Sequence, residues 1–156
     1  MAKGSFAPDV TIKLEGVQQL LKNLEQFSQT IQRRIVRKAV SAGSTPMLQA
    51  VKAAAPRETG LLKKSIGRKV KTYRNSGVVL VIIGPRSGFR TVIDDKPRNP
   101  LMYAHLVEFG TSKAPAKPFM RPAFQAMKQT AQNIIRQKLA EEIEKEAKKL
   151  KKTGKK

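Results

Sequence analysis

The feature that most constrains this chain is an apolar stripe running through its C-terminal end with scarcely a break. Met120, Phe124, Met127, Ala131, Ile135, Leu139, Ile143, Ala147 and Leu150 recur at steps of three and four residues. That spacing lines one face of an α-helix. At 1.5 Å per residue, about thirty residues reach roughly 45 Å, longer than a small domain is wide. The far end of such a helix is expected to leave its parent domain or to dock on a neighbour. Its last twelve residues, Lys145 to Lys156, hold seven lysines and one glutamate. They are expected to fray and stay solvated, with the lysines complementing the helix dipole.

Upstream, the hydrophobic period changes several times. Val10, Ile12 and Leu14 alternate with polar residues, which predicts a short strand over 9–15 ended by Gly16. From Val17, the residues Leu20, Leu21, Leu24, Phe27, Ile31, Ile35, Val36, Ala39 and Val40 follow a helical spacing. Ala42-Gly-Ser-Thr-Pro46 interrupts it: Thr45 can cap a new helix with Pro46 at its first position. A single helix bent at Pro46 is the alternative. Either version stops at Pro56, and Arg57-Glu-Thr-Gly60 makes a turn. A β-hairpin is expected from about 65 to 84: a half-exposed strand Ser65–Tyr73, a turn at Asn75-Ser-Gly77 and a buried strand Val78–Ile83. Residues 84–100 are rich in Gly, Pro and polar groups and read as a long loop without a core of its own. The elements together predict an α+β fold, a small, mostly antiparallel sheet packed against N-terminal helices, with a long C-terminal helix. Residues 1–135 form the single α+β domain in this reading, and 136–156 a helical extension ending in the lysine-rich tail.

Composition narrows the function classes. With 156 residues, one domain can bury a sizeable core without staples. There is no cysteine, so no disulfide, thiolate metal site or thiol nucleophile exists, in keeping with a reducing cytoplasm. The N-terminal residues show no signal-peptide pattern, and the longest apolar run, Val78–Ile83, is far short of the ~20 residues of a membrane helix. The 32 basic against 11 acidic residues give a net charge of +21. A field of that sign attracts nucleic acid, acidic protein surfaces or anionic membranes and speaks about partners, not about fold. It is spread along the chain, +13 over residues 1–100 and +8 over 101–156.

The densest stretch runs from Tyr103 to Ala123. Tyr103, Leu106, Val107 and Phe109 are expected to form an apolar cluster on the core, and Gly110 permits a positive φ at the end of a short turn or helix. Ala114-Pro-Ala-Lys-Pro118 is biased to extended backbone. Phe119 and Met120 act as apolar plugs, and Pro122 must fall in the first turn of the helix. The result is a stiff, pre-bent corner, which is either simply a well-packed turn or an assembly contact, a role that stiffness suits because little order is lost on binding. The contact residues expected there are Glu108, Phe109, Phe119, Met120, Arg121 and Phe124, with the 86–99 loop reaching a neighbour.

Two motifs carry a resemblance. Tyr103…Glu108-Phe-Gly-Thr111, followed by Pro118-Phe-Met-Arg-Pro-Ala123, together with the earlier Ala53-Ala-Ala-Pro56-Arg-Glu-Thr59-Gly60-Leu61-Leu-Lys-Lys-Ser65-Ile66, resembles a neck or tail-completion family of long-tailed bacteriophages. The resemblance covers most of residues 10–135. It implies an α+β virion protein, assembled in the host cytoplasm, that forms a homo-oligomeric ring at the head–tail junction. Its neighbours would be a head-side connector, the tail terminator and the tail tube. It implies no catalytic residues and no cofactor.

Other chemistries find little support. His105 is the sole histidine and lacks companions at ligand spacing, so it reads as a polar contact beside the apolar cluster. Glu108 has no partner acid or base for proton transfer and is expected to pair with an arginine such as Arg121, within the chain or across a subunit boundary. Asp94-Asp95 falls short of a calcium loop, and Gly84-Pro-Arg-Ser-Gly88 is not a phosphate-binding loop. The alternative to a structural protein is sequence-independent DNA binding through Arg33-Arg34, Arg37-Lys38, Arg68–Lys71 and the terminal lysines. Aromatic residues are only 5% of the chain, so a base-stacking platform is not expected.

Overall fold

A computed structural model describes residues 17–58, 60–74, 76–93 and 95–153. The strand expected over 9–15 lies outside the described residues. The chain is α+β: α1 (Gln18–Glu25), α2 (Gln29–Ala54), α3 (Leu61–Ser65), β1 (Ile66–Thr72), β2 (Val79–Pro85), β3 (Thr91–Ile93), β4 (Lys96–Arg98), α4 (Pro100–Phe109) and α5 (Met120–Thr153). The strands form two two-stranded sheets, β1–β2 and β3–β4. The described residues cluster into two compact units. One holds Met47–Arg68 and Ile83–Met127, and the other holds residues 17–46, Lys69–Ile82 and 128–153.

In the first unit, Val51, Ala55, Leu62, Ile66, Ala104, Phe119, Met120 and Ala123 form a buried cluster, with Ile83, Tyr103 and Val107 packed against it. Gly60 adopts the left-handed conformation (φ 66°) that turns the chain into α3. The exposed carbonyls at the end of α3 are met by Arg86, whose Nη2 and Nε donate to Lys64 O (3.0 Å) and Ser65 O (3.3 Å). A guanidinium at a helix C-terminus satisfies orphan acceptors and complements the dipole.

In the second unit, Leu24, Phe27 and Ile35 join Ala39, Ile135, Leu139 and Ile143 in a buried cluster. This corrects the expectation for the C-terminal helix. Its distal half does not leave the chain: the stripe from Ile135 to Ala147 is covered by α1 and α2. Covering it removes a long apolar face from water, which an unpartnered projection would leave exposed. Two of the four acids on this helix follow suit. Glu142 and Glu146 are buried beside Lys38 (2.7 Å) and Arg34 (2.9 Å). Hydrogen bonds from Lys38 and from Lys149, respectively, hold their carboxyls below the ordinary range.

Two further expectations need correction, and one open choice is decided. The helical pattern read without interruption from Val17 is broken at Gln26–Ser28, where Phe27 N–H bonds Leu24 O, and α2 follows from Gln29, with Gln32 N–H bonding Ser28 O. The apolar period persists across the break because Leu24 and Phe27 serve the same core. Of the two readings at Pro46, the single helix through it holds: Pro46 lies inside α2 and does not start a new helix. Hydroxyls of Ser44 and Thr45 donate to Ser41 O in the preceding turn, the kind of local hydrogen bonding that accompanies a tolerated proline. The 84–100 segment holds the β3–β4 hairpin, in the register Thr91↔Arg98, Val92↔Pro97 and Ile93↔Lys96.

Gly43 shows how closely α2 and α5 approach in the second unit. A Cβ there would overlap Ile135 Cγ1 and stand 2.8 Å from the Ala131 carbonyl oxygen, a backbone atom that cannot swing aside. Ordinarily a helical Gly→Ala change gains up to about 1 kcal/mol. At Gly43 overpacking of about 1–3 kcal/mol opposes it. Gly43→Ala is therefore expected to lower the denaturation midpoint, whereas Gly88→Ala, with open space around it, should leave it nearly unchanged. Equilibrium denaturation of the two variants checks this.

Candidate subunit interface

The corner between α4 and α5 is built from the backbone outward. Asn99 caps α4, its side chain accepting from Leu101 N–H (3.1 Å), with Pro100 in the first turn. The helix ends at Gly110, whose φ of 76° suits glycine and whose N–H bonds Leu106 O at 2.8 Å. A Cβ at Gly110 would stand 2.7 Å from Ala116 N. Thr111 then closes a tight turn, its hydroxyl accepting from Lys113 N–H (3.2 Å) and Ala114 N–H (3.0 Å). Lys117 N–H ties the returning strand to Val107 O at 2.8 Å. Pro122 falls in the first turn of α5, as its chemistry requires.

Glu108 is the keystone. It is 4% exposed, and its carboxylate accepts from three successive backbone N–H groups, Phe119 (2.8 Å), Met120 (2.9 Å) and Arg121 (3.1 Å). These are the orphan donors at the start of α5, where the helix dipole favours an anion. Glu108 does not take up the Arg121 guanidinium, as its position in a basic sequence suggests. That group lies instead over the Phe109 ring, 4.8 Å from its centroid, a cation–π contact of about 0.5–1 kcal/mol at an exposed site.

The structure thus brings Glu108, Phe109, Phe119, Met120 and Arg121 together, with Phe124 one turn along α5 and half-buried. Three of them face inward: Phe119 is 1% exposed, and Met120 and Glu108 are buried with it. Phe109 and Arg121 face solvent. The sequence predicts Leu106 and Phe109 on the core beside Tyr103 and Val107. Only the latter pair packs there. Leu106, Phe109 and Met102 instead form an exposed stripe on α4, with Met102 68% and Phe109 51% accessible, and Leu101 joins it. The i, i+4, i+7 spacing of Met102, Leu106 and Phe109 was the signal for this second face. His105 is exposed beside them, and no group of three metal-ligating side chains exists among the described residues.

On another side of α4, an open groove of about 340 Å³ is lined by Pro56, Glu58, Leu61, Arg98, Tyr103 and Val107. Burial raises the Tyr103 phenol above its ordinary pKa, opposed by Arg98 and reinforced by Glu58. A cleft with apolar walls and a charged rim can seat a neighbour's side chain. No helix among the described residues is long and apolar enough to cross a membrane.

No curated protein and no solved structure matches the chain. A family model described as "Bacteriophage HK97-gp10, putative tail-component" matches residues 18–110. That span contains the Ala53–Ile66 motif and all of α4, and it covers more than half of the sequence. The chain belongs to the HK97-gp10-like family of phage tail components.

Proposed function

We propose that this protein is a structural component of the virion of a long-tailed phage, whose copies associate into a ring at the head–tail junction. There it would complete the tail or join it to the head, bridging a head-side connector and the terminator or tube of the tail. Membership of a tail-component family supports the structural role. The observation that carries the subunit contact is the outer face of α4. Met102, Leu106 and Phe109 form an apolar stripe on a helix that contains no Lys or Arg, beside a corner locked by Glu108. In a chain of +21, an apolar face whose helix carries no cation, and beside which Arg121 is stacked on Phe109, is where like-charged copies can meet at low electrostatic cost.

The contact is heterologous, α4 of one copy against a different surface of the next, which closes a ring when the rotation permits. Phe109, Arg121 and Phe124 reach the neighbour directly; Glu108, Phe119 and Met120 hold the corner that presents them. No chemistry is catalysed and no cofactor is used in this role. The test is Met102→Glu combined with Leu106→Glu. Wild-type protein, alone or with its phage's neck and tail proteins, is expected to form rings by negative-stain microscopy and sedimentation. The double variant should keep its melting temperature and stay monomeric. Rings formed equally well by the variant would defeat this assignment of the contact.

The second reading, sequence-independent contact with DNA, draws on the exposed Arg37 and Lys71. Arg34 and Lys38 are partly committed to buried glutamates. A duplex titration at two salt concentrations measures it, because phosphate contacts give a steep loss of affinity with salt.

A further inference from the structure

The β1–β2 hairpin carries a second apolar surface that the α4 contact does not use. Two hydrogen bonds set its register: Tyr73 N–H to Val78 O (2.8 Å) near the tip and Arg86 N–H to Ser65 O (3.0 Å) at the open end. The offset is the same at both ends, which puts Lys71 opposite Leu80 and Lys69 opposite Ile82. Because side chains alternate, one face presents Lys69, Lys71 and Tyr73 from β1 and Val78, Leu80 and Ile82 from β2. All six are exposed, Val78 at 52% and Leu80 and Ile82 above 40%. The opposite face, with Val70, Val79 and Val81, is half-buried. A solvated face of an antiparallel sheet is ordinarily polar. Here one strand of that face is aliphatic, and its cross-strand neighbours are ammonium groups.

We propose that this face docks a protein partner whose own surface pairs an apolar strip with carboxylates, and not a second copy of the chain or DNA. Charge decides against a second copy: its own hairpin would bring further lysines to Lys69 and Lys71, and its α4 face, whose one acid Glu108 is buried, has no exposed carboxylate to answer them. The three aliphatic side chains decide against a duplex, since contacts to a phosphate backbone are polar and gain little from Leu80 and Ile82. An acidic protein uses both halves of the face: its apolar strip covers Val78, Leu80 and Ile82, and its carboxylates meet the lysine row. This inference rests on the structural reading and deepens it by giving the chemistry of a neighbouring protein other than this chain, and it does not require that a ring forms.

The experiment titrates the isotope-labelled full chain with three probes while the backbone amides are followed by NMR. The probes are a short peptide alternating Glu and Val, the same peptide with Lys for Glu, and a short DNA duplex. The acidic peptide should shift the amides of residues 69–82, and the lysine peptide should not. Leu80→Thr with Ile82→Thr should weaken acidic-peptide binding by about tenfold, a difference of about 1.4 kcal/mol. Lys69→Glu with Lys71→Glu should abolish it, each variant keeping the wild-type melting temperature. The proposal is overturned if the acidic peptide leaves these amides unmoved, or if both double variants bind it as the wild type does. It is equally overturned if the duplex shifts the same amides and the peptide does not. The α4 variant above reads the ring separately, so the two failures are distinguishable.

Discussion

Phe119→Ala is expected to lower the stability of the chain by about 3–5 kcal/mol, the largest effect of any single truncation considered. The ring is 1% exposed and belongs to the same buried cluster as Val51, Leu62, Ile66 and Ala104. Its removal leaves a cavity bordered by α2, α3 and α4, which cannot all collapse onto it because hydrogen bonds fix the corner on both sides of residue 119. Thermal or chemical denaturation measures the loss. Phe119→Leu, which keeps most of the volume, should cost markedly less. Phe124→Ala, at a half-buried position, is expected to fall between the two. A Phe119→Ala variant as stable as wild type would show that this side chain does not fill the core.

Second in size is Glu108→Ala, expected to cost about 2–4 kcal/mol by combining the loss of a helix cap with the stranding of buried donors. Three N–H groups lose their acceptor at once. Glu108→Gln retains one oxygen, which can take the place of Oε2 and keep the bonds to Phe119 and Met120, so its cost should be about half as large. Arg121→Ala is the informative control. If Glu108 acted through an ion pair with the arginine, the two variants would destabilise alike. Because the bond runs from the Arg121 backbone N–H, which alanine preserves, Arg121→Ala should cost less than about 1 kcal/mol, the worth of its stacking on Phe109. Denaturation midpoints of the three variants separate the cases.

The parts of the fold that were legible in the sequence share a cause: their signal is local. The α5 stripe, the 65–84 hairpin with glycine at its turn and the positive φ of Gly110 all follow from periodicity or from steric rules of single residues. What escaped depended on partners distant in the chain. Nothing near Ile135 or Ile143 tells that Leu24 and Ile35 will cover them, so the rod was expected to project. The run Val78–Ile83 reads as a buried strand because it is apolar throughout, yet burial of both faces requires a second layer, and Val78, Leu80 and Ile82 face solvent. The β3–β4 hairpin was hidden by composition: Lys96-Pro97-Arg98 has neither alternation nor β-branched residues, and its turn uses Asp95 at φ 56° where glycine would have been the recognisable signal.

At the corner, the sequence pointed to the right residues but divided their labour wrongly. Glu108, Phe119 and Met120 stood out as strongly as Phe109 and Arg121, because a motif records which positions matter and not which way they face. Burial separates them. The α4 stripe is hard to read for a related reason: a ten-residue helix that is apolar nearly all round has no polar side to tell Leu106 and Phe109 from the core pair.

The cap on α5 also bears on how genes of this kind can be cut and exchanged. Glu108 sits in one helix, while the three amides it grips lie at 119–121, in the first turn of the next. A breakpoint placed between them would join a carboxylate from one parent to an amide triplet and an aromatic plug from another. A chimera that keeps both sides of the elbow from one parent retains the latch, and a fragment cut between them loses it.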